Sequence, residues 1–289
     1  MVKAITGYMP LFKLRICSLI TVSAVVGLIA AGAAGMTVTK ALYLMASTML
    51  MAMSASVFNH YFDKDIDTVM ARTRKRPLPS GVAGRRHVLL ISLGLFLFAM
   101  ALSVRALNNM VALHLSLGAF VYAFIYTAWL KRRTSLNIII GGLAGSFAVL
   151  AGGASARPDF CVPPLLLSVV MFFWTPSHFW SFAIYHREEY AAAGVPMLPV
   201  VIGDRKTSYC ILANTVLLVS SSLLPYLLGY SGLIYLGGSV IAGAYFIYLN
   251  LRLVKNPTKG LAWKNFKASM TYLAVVFASV VIDSIFNQL

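Results

Sequence analysis

Three polar residues at the end of an apolar run have the types and spacing of a metal site. Asn59, Asp63 and Asp67 recur every four residues, so a continuous helix would place them on one face. Stacked carboxylates repel one another unless a positive charge lies between them, and a divalent cation is the usual solution. Mg²⁺ takes one or two carboxylates and fills its remaining positions with water and phosphate oxygens. The spacing therefore predicts that Asp63 and Asp67 hold Mg²⁺ and that Asn59 completes or orients its shell.

Two arginines follow these acids at a distance that suits a phosphate group. Arg72 and Arg76 carry planar guanidinium groups, which grip phosphate oxygens through paired hydrogen bonds. A solvated cytoplasmic loop would explain these arginines by the positive-inside rule, but it would not explain the helically spaced acids. We therefore expect this segment to bind a metal–phosphate group.

The composition identifies the surroundings of this segment. Of 289 residues, 60% are hydrophobic and only 11% are charged, which is typical of a polytopic membrane protein. The net charge of +16 would suggest a nucleic-acid partner in a soluble chain, but here the basic residues are placed against the membrane, and no nucleic acid is expected. The three cysteines are far apart and form neither a metal knuckle nor a disulfide framework.

Nine apolar runs are long enough to span a bilayer. They predict an all-α membrane protein in which residues 1–289 form one domain, with about nine helices around a central cavity that opens to the cytoplasmic face. Short runs of glycine in the fifth helix, such as Gly152-Gly153, indicate close helix packing. The predicted spans are residues 16–36, 41–62, 88–106, 109–130, 136–156, 162–184, 208–229, 232–253 and 267–286.

The distribution of basic residues predicts the orientation. With nine spans, 21 of the 24 Lys and Arg residues fall on the side of the N-terminus, so we expect a cytoplasmic N-terminus and a C-terminus outside. The bacterial inner membrane is the simplest location. Two polar segments, residues 59–86 and 185–207, then lie in the cytoplasm and hold six of the eight acids. We call them the motif loops, and we expect a cytoplasmic catalytic site between them.

The sixth predicted helix carries a second set of polar and aromatic residues. Five side chains fall within about 40° of one line along this helix. Such a stripe inside a membrane faces either a cavity or a partner helix, and we expect a cavity. His60 and His87, beside the first motif loop, are expected to be solvated. The stripe consists of Trp174, His178, Ser181, Tyr185 and Glu188.

Four stretches resemble a known family. The segment from Asn59 to Leu78 resembles the first signature of the UbiA-type intramembrane prenyltransferases. Residues 126–138, 174–180 and 190–201 resemble one branch, the haem O synthases (protohaem IX farnesyltransferases). The first signature marks only the superfamily, whereas the runs Trp-Thr-Pro-Ser-His at 174–178 and Gly-Val-Pro-Met-Leu-Pro-Val at 194–200 are specific to the branch.

The resemblance implies transfer of a farnesyl group from farnesyl diphosphate to a vinyl group of haem b, with addition of water, giving haem O and diphosphate. It implies Mg²⁺ as cofactor, haem b as substrate, and the lipid bilayer and terminal oxidase assembly, including haem A synthase, as partners. His178 would ligate haem iron or move the proton of the added water. The implied catalytic residues are Asn59, Asp63, Asp67 and His178, and the implied substrate-binding residues are Arg72, Arg76, Lys131, Trp174, Tyr185 and Tyr190.

One departure from the superfamily concerns a second metal ion. The second signature of the superfamily carries two Asp residues, which are replaced here by His186 and Tyr190, with Glu188 and Glu189 between them. Haem O synthases are similar in lacking this pair. Whether one or two Mg²⁺ ions bind is left open.

Other functions fit parts of the pattern. Prenyl transfer to an aromatic acceptor of the quinone or chlorophyll type shares the chemistry, but the Gly194–Val201 run argues against it. A transporter of haem or another anion would place its charges near the bilayer midplane, whereas the acids here cluster at one face. A haem-delivery protein without catalysis has no need of a carboxylate metal site.

The orientation can be tested with reporter fusions. A reporter fused after Leu289 should be active only outside the cytoplasm, and one fused near Gly81 only inside, because of the asymmetric distribution of Lys and Arg. A cytoplasmic C-terminus would mean that one of the nine predicted spans is wrong or missing.

Overall fold

Nine helices that are long and apolar enough to cross a membrane form the computed structural model, which describes residues 7–32 and 36–286. Within these ranges, the predicted all-helical fold and the number of spans are confirmed. We label the helices in chain order: α1 Met9–Ala30, α2 Val38–Phe62, α3 Arg85–Ala106, α4 Asn109–Arg132, α5 Asn137–Ala156, α6 Val162–Tyr185, α7 Leu198–Leu227, α8 Leu233–Lys255 and α9 Lys259–Phe286.

Three helices begin well before their predicted starts. α1 begins at Met9 and not at 16, α7 at Leu198 and not at 208, and α9 at Lys259 and not at 267. All three extensions carry basic residues, so hydropathy detects only the apolar part of each helix. The first turns of α7 are separated from the rest by a kink at Gly203, whose φ of 81° is readily adopted only by glycine. Lys3, Leu289 and residues 33–35 of the first predicted span lie outside the described residues.

Neighbouring helices pack in chain order, and α9 returns to contact α1. In addition, α1 packs along α5. Two short helices, Lys64–Val69 and Arg187–Ala192, lie in the motif loops after α2 and α6. This arrangement brings the ends of α1, α2 and α4 together beside the two motif loops.

Glycines allow α1 and α5 to approach backbone to backbone. A Cβ atom added to Gly152 would lie 1.8 Å from the carbonyl oxygen of Ala24, and one added to Gly27 would lie 2.0 Å from that of Val149. Any side chain at either position would therefore force the helices apart. Helix association in membranes depends on such close packing, because lipid tails offer no hydrophobic driving force.

Replacement of one of these glycines should destabilise the bundle. We expect Gly152→Ala to lower the free energy of unfolding by about 1–3 kcal/mol, since the added methyl group overlaps a backbone with no room to move. The matched control is Gly237→Ala in α8, where an added Cβ meets no atom within 4 Å. Thermal unfolding of the two purified variants should show a lower Tm for Gly152→Ala only, and equal Tm values would contradict the role of this contact.

Candidate active site

The three residues predicted to bind metal are stacked at the end of α2. The helix ends at Phe62, and Asp63 departs from helical geometry with φ −85° and ψ 7° before the short helix Lys64–Val69 begins. The amide nitrogen of Asp63 nevertheless bonds the carbonyl of Asn59 at 2.9 Å, and that of Asp67 bonds the carbonyl of Asp63 at 2.7 Å. The four-residue spacing therefore survives the break. Asn59, Asp63 and Asp67 are only 3%, 1% and 2% exposed.

Basic side chains neutralise both carboxylates. The Oδ2 atom of Asp63 accepts hydrogen bonds from the Nζ of Lys131 and, at 2.7 Å, from the side-chain nitrogen Nδ2 of Asn59. Both oxygens of Asp67 lie 2.8 Å from the Nη1 of Arg76. The positive charge required by two stacked acids is thus supplied by residues of the chain itself.

The donor set fits a Mg²⁺ ion with few protein ligands. The Oδ1 atom of Asp63 is buried and has no hydrogen-bond partner, so it is an acceptor left for a cation. The described residues contain no group of three or more His, Cys, Asp or Glu side chains that could enclose a metal. Two carboxylates, with water and phosphate oxygens for the other positions, are the arrangement that Mg²⁺ accepts.

Asn59 orients the site and does not offer its amide oxygen to a metal in this structure. Its Oδ1 accepts a hydrogen bond from the Nζ of Lys13 at 2.6 Å, and an ammonium group can only donate. The side-chain nitrogen Nδ2 of Asn59 therefore donates to Asp63 and, at 3.2 Å, to the hydroxyl of Thr127. Of the two roles predicted for Asn59, these contacts favour the orienting one.

Sequence reasoning missed Lys13 and Thr127 as site residues. Lys13 joins a 3₁₀ turn to the α-helical part of α1, and its left-handed backbone (φ 44°, ψ 48°) is unusual for a residue other than glycine. Thr127 lies in a π-helical segment of α4, residues Val121–Trp129, and such segments often occur at functional sites. Lys13 entered the sequence argument only as a charge, and nothing in the local sequence signals the π-helix.

Arg72 connects the two motif loops. Its guanidinium donates to the hydroxyl of Tyr190 at 3.3 Å and lies 5.4 and 5.5 Å from the ring centres of Phe182 and Tyr190. Its Nε is 3.7 Å from Glu189. Burial raises the pKa of the Tyr190 phenol, so this group stays protonated beside Arg72. Arg76 and Lys131 thus contact the acids directly, whereas Arg72 and Tyr190 contact each other.

The site has more positive than negative charge. Asp63 and Asp67 lie beside three cations, Lys13, Lys131 and Arg76. Arg72, at the edge, is itself paired with Glu189. Such a surplus in a partly buried site suits a ligand with several negative charges, such as a diphosphate.

The stripe on α6 faces α9, which corrects the prediction that it lines a cavity. Trp174 donates to the carbonyl of Ser269 at 2.7 Å, and the Nδ1 of His178 is 2.7 Å from the Ser269 hydroxyl. Ser181 accepts from Asn265 at 2.8 Å, the Tyr185 ring lies 4.9 Å from that of Trp263, and Glu188 pairs with Lys259 at 2.8 Å. Polar groups in a membrane gain by bonding across a helix interface, and Trp174, His178 and Ser181 do so here. Tyr185 packs its ring against α9, and Glu188, in the short helix after α6, forms an exposed ion pair.

Two histidines differ from expectation in their surroundings. His60 is 1% exposed beneath the first motif loop and is not solvated as predicted, whereas His87 is exposed. His178 is 8% exposed, and its ring lies between those of Trp174 and Phe266, with centres 4.3 and 4.4 Å away. Among the described contacts, His178 has no hydrogen bond to Asn59, Asp63 or Asp67.

A family model and individual relatives of known name both match this chain over most of its length. The model of the UbiA prenyltransferase family matches residues 20–276. The chain is 47% identical to protohaem IX farnesyltransferase 1 of Paramagnetospirillum magneticum, covering 96% of this chain and 97% of the relative. It is 43% identical to protohaem IX farnesyltransferase 1 of Cenarchaeum symbiosum, covering 95% and 94%.

Solved structures show the same fold. A digeranylgeranylglyceryl phosphate synthase structure matches with a TM-score of 0.82 and 23% identity, covering 98% of this chain and 99% of that one. A UbiA homologue from Archaeoglobus fulgidus bound to GPP and Mg²⁺ matches with a TM-score of 0.66 and 16% identity, covering 92% and 98%.

The contacts of His178 predict a structural contribution. His178→Ala and Ser269→Ala each remove the same interhelical hydrogen bond, so we expect both to lower the free energy of unfolding by about 1 kcal/mol. Thermal unfolding of the purified variants in one detergent measures this, with Ser284→Ala, whose hydroxyl bonds only within α9, as the control. Full stability of both variants would contradict the α6–α9 contact.

Proposed function

The chain belongs to the UbiA prenyltransferase family, and we propose that it transfers the farnesyl group of farnesyl diphosphate to a vinyl group of haem b, with addition of water. The relatives named protohaem IX farnesyltransferase extend over nearly the whole chain and support this substrate pair. The observation that carries the proposal is the pair of buried carboxylates, each held by basic side chains, at the end of a membrane helix.

Asp63 and Asp67 would hold Mg²⁺. When bound, the ion supplies positive charge that stabilises diphosphate as the leaving group. The unpartnered Oδ1 of Asp63 supports this assignment, as does the Mg²⁺ described with GPP in the A. fulgidus homologue. Asn59, held by Lys13 and Thr127, keeps the Asp63 carboxylate in place.

The basic residues would bind the diphosphate. Lys131 and Arg76 reach the same carboxylates that would bind the ion, so they are free to turn to the diphosphate oxygens when the acids take a metal. Arg72 lies beside them. As the bond between the allylic carbon and oxygen breaks, its electron pair leaves with diphosphate, and these cations stabilise the charge that develops.

The remaining steps need a dry, electron-rich site. The vinyl group of haem b attacks the allylic carbon to form the new carbon–carbon bond, and water adds to the resulting cation and loses a proton. Aromatic faces stabilise positive charge and exclude stray water. Trp174 and Tyr185, expected to bind substrate, pack against α9, whereas Tyr190 contacts Arg72 at 3.3 Å and is better placed.

The family resemblance implies a role for His178 on the haem side of the reaction, although His178 packs against α9 as Trp174 and Tyr185 do, with its Nδ1 held by Ser269. Two roles remain, ligation of haem iron and transfer of the proton of the added water. Ligation predicts a changed visible spectrum of bound haem b in His178→Ala, whereas proton transfer predicts an unchanged spectrum and slower turnover.

We place the motif loops on the cytoplasmic side of the bacterial inner membrane, with the N-terminus inside and the C-terminus outside. The distribution of Lys and Arg supports this orientation. In such a cell, haem A synthase or the terminal oxidases would be the consumers of the product.

The proposal is tested by substitution of the carboxylates. With haem b, farnesyl diphosphate and saturating Mg²⁺, we expect Asp63→Asn and Asp67→Asn to reduce formation of farnesylated haem, measured by mass spectrometry, by roughly 10²–10⁴-fold, because a carboxamide is a poor Mg²⁺ ligand.

Asp65→Asn is the matched control, since Asp65 lies between the two acids in sequence but is exposed and paired with Arg132. It should retain activity within a few-fold of the unmodified protein. Loss of the farnesylated product in all three variants, or in none, would contradict the assignment of Asp63 and Asp67. Absence of the product with the unmodified protein would contradict the proposed substrates.

A further inference from the structure

A second polar site lies on the same face of the protein, outside the candidate active site. A groove of about 650 Å³ is formed where α2 ends, α3 begins and α4 ends. Its charged lining residues are Lys64, Asp65, Arg85 and Arg132, and its aromatic ones are Tyr61 and Phe62. Lys131 bonds Asp63 whereas the next residue, Arg132, bonds Asp65, so the two adjacent basic residues serve two different sites.

The groove has two positive charges without acidic partners. Arg132 donates to both oxygens of Asp65, at 2.5 and 2.6 Å, so the charges of these two residues compensate each other. No acidic side chain of the described residues lies within salt-bridge distance of Lys64 or Arg85, and Arg85 rests on the Tyr61 ring, 4.7 Å from its centre.

An aromatic strip leads from this groove along the outside of the bundle. The Phe62 ring stacks on Phe58 with centres 5.4 Å apart, Phe58 lies 5.0 Å from Phe124, and Phe124 lies 5.5 Å from Phe120. Phe120 and Phe124 are about half exposed, at 51% and 50%. Because α2 and α4 are membrane-spanning, this strip faces lipid chains, and it ends at the two unpaired cations.

We propose that the groove binds an anionic phospholipid, with its phosphate at Lys64 and Arg85 and an acyl chain along Phe58 and Phe124. Both halves of such a lipid are matched, the negative headgroup by the uncompensated cations and the chain by the aromatic strip. A free phosphate would contact only the cations and not the aromatic strip. A diffuse attraction of the basic loops to an anionic membrane would require neither the groove nor the strip.

Competition between two lipids tests the proposal. The purified protein is reconstituted in nanodiscs of equal phosphatidylglycerol and phosphatidylcholine with identical chains, gently extracted, and examined by native mass spectrometry. We expect retained phosphatidylglycerol in excess over phosphatidylcholine. Lys64→Gln with Arg85→Gln should weaken this retention by roughly 30-fold, since each basic residue near the charged surface contributes about a factor of five.

The matched control is Arg74→Gln with Lys75→Gln, which removes the same charge from exposed positions of the same motif loop. It should retain phosphatidylglycerol as the unmodified protein does. Equal loss in both double variants would mean diffuse attraction and overturn the proposal, as would equal retention of the two lipids. Displacement of the lipid by millimolar inorganic phosphate would also overturn it, because the acyl chain would then contribute nothing.

Discussion

Two buried carboxylates at the end of α2 impose the constraint on which this end of the molecule depends. Asp63 and Asp67 are at most 2% exposed, and a buried charge whose partner is removed costs about 3–5 kcal/mol. The chain meets this requirement with Lys131 from α4 and Arg76 from the first motif loop, while Lys13 from α1 holds Asn59 beside them. The ends of three helices are thus fixed by the same charges that form the candidate active site.

The basic residues that stabilise the buried carboxylates are the ones proposed to bind the diphosphate. The carboxylates need positive charge whether or not a metal is present, and the structure satisfies them with basic side chains that a diphosphate also requires. Under the proposed function, binding of metal and substrate would exchange one set of ion pairs for another, without burying a new unpaired charge. Because Gly152 has no side chain, α5 packs directly against the backbone of α1. This contact helps to position α1, which carries Lys13.

Sequence reasoning succeeded where the signal was local. The apolar runs predicted nine spans, and the four-residue spacing predicted that Asn59, Asp63 and Asp67 are stacked, because hydropathy and helical periodicity depend on neighbouring residues. It failed where partners are distant in sequence. Lys13 reaches Asn59 across 46 residues, and periodicity places Trp174 and His178 on one line without saying that this line faces α9. The π-helical turn around Thr127 leaves no local signature.

The most direct test of the central claim is a cryo-EM structure of the protein with Mg²⁺ and an unreactive thio-analogue of farnesyl diphosphate. The carboxylate pair should then bind density for the ion, and the side chains of Lys131 and Arg76 should contact the diphosphate and no longer Asp63 and Asp67. A diphosphate bound elsewhere, with both ion pairs of the substrate-free structure intact, would contradict the assignment of this cluster as the active site.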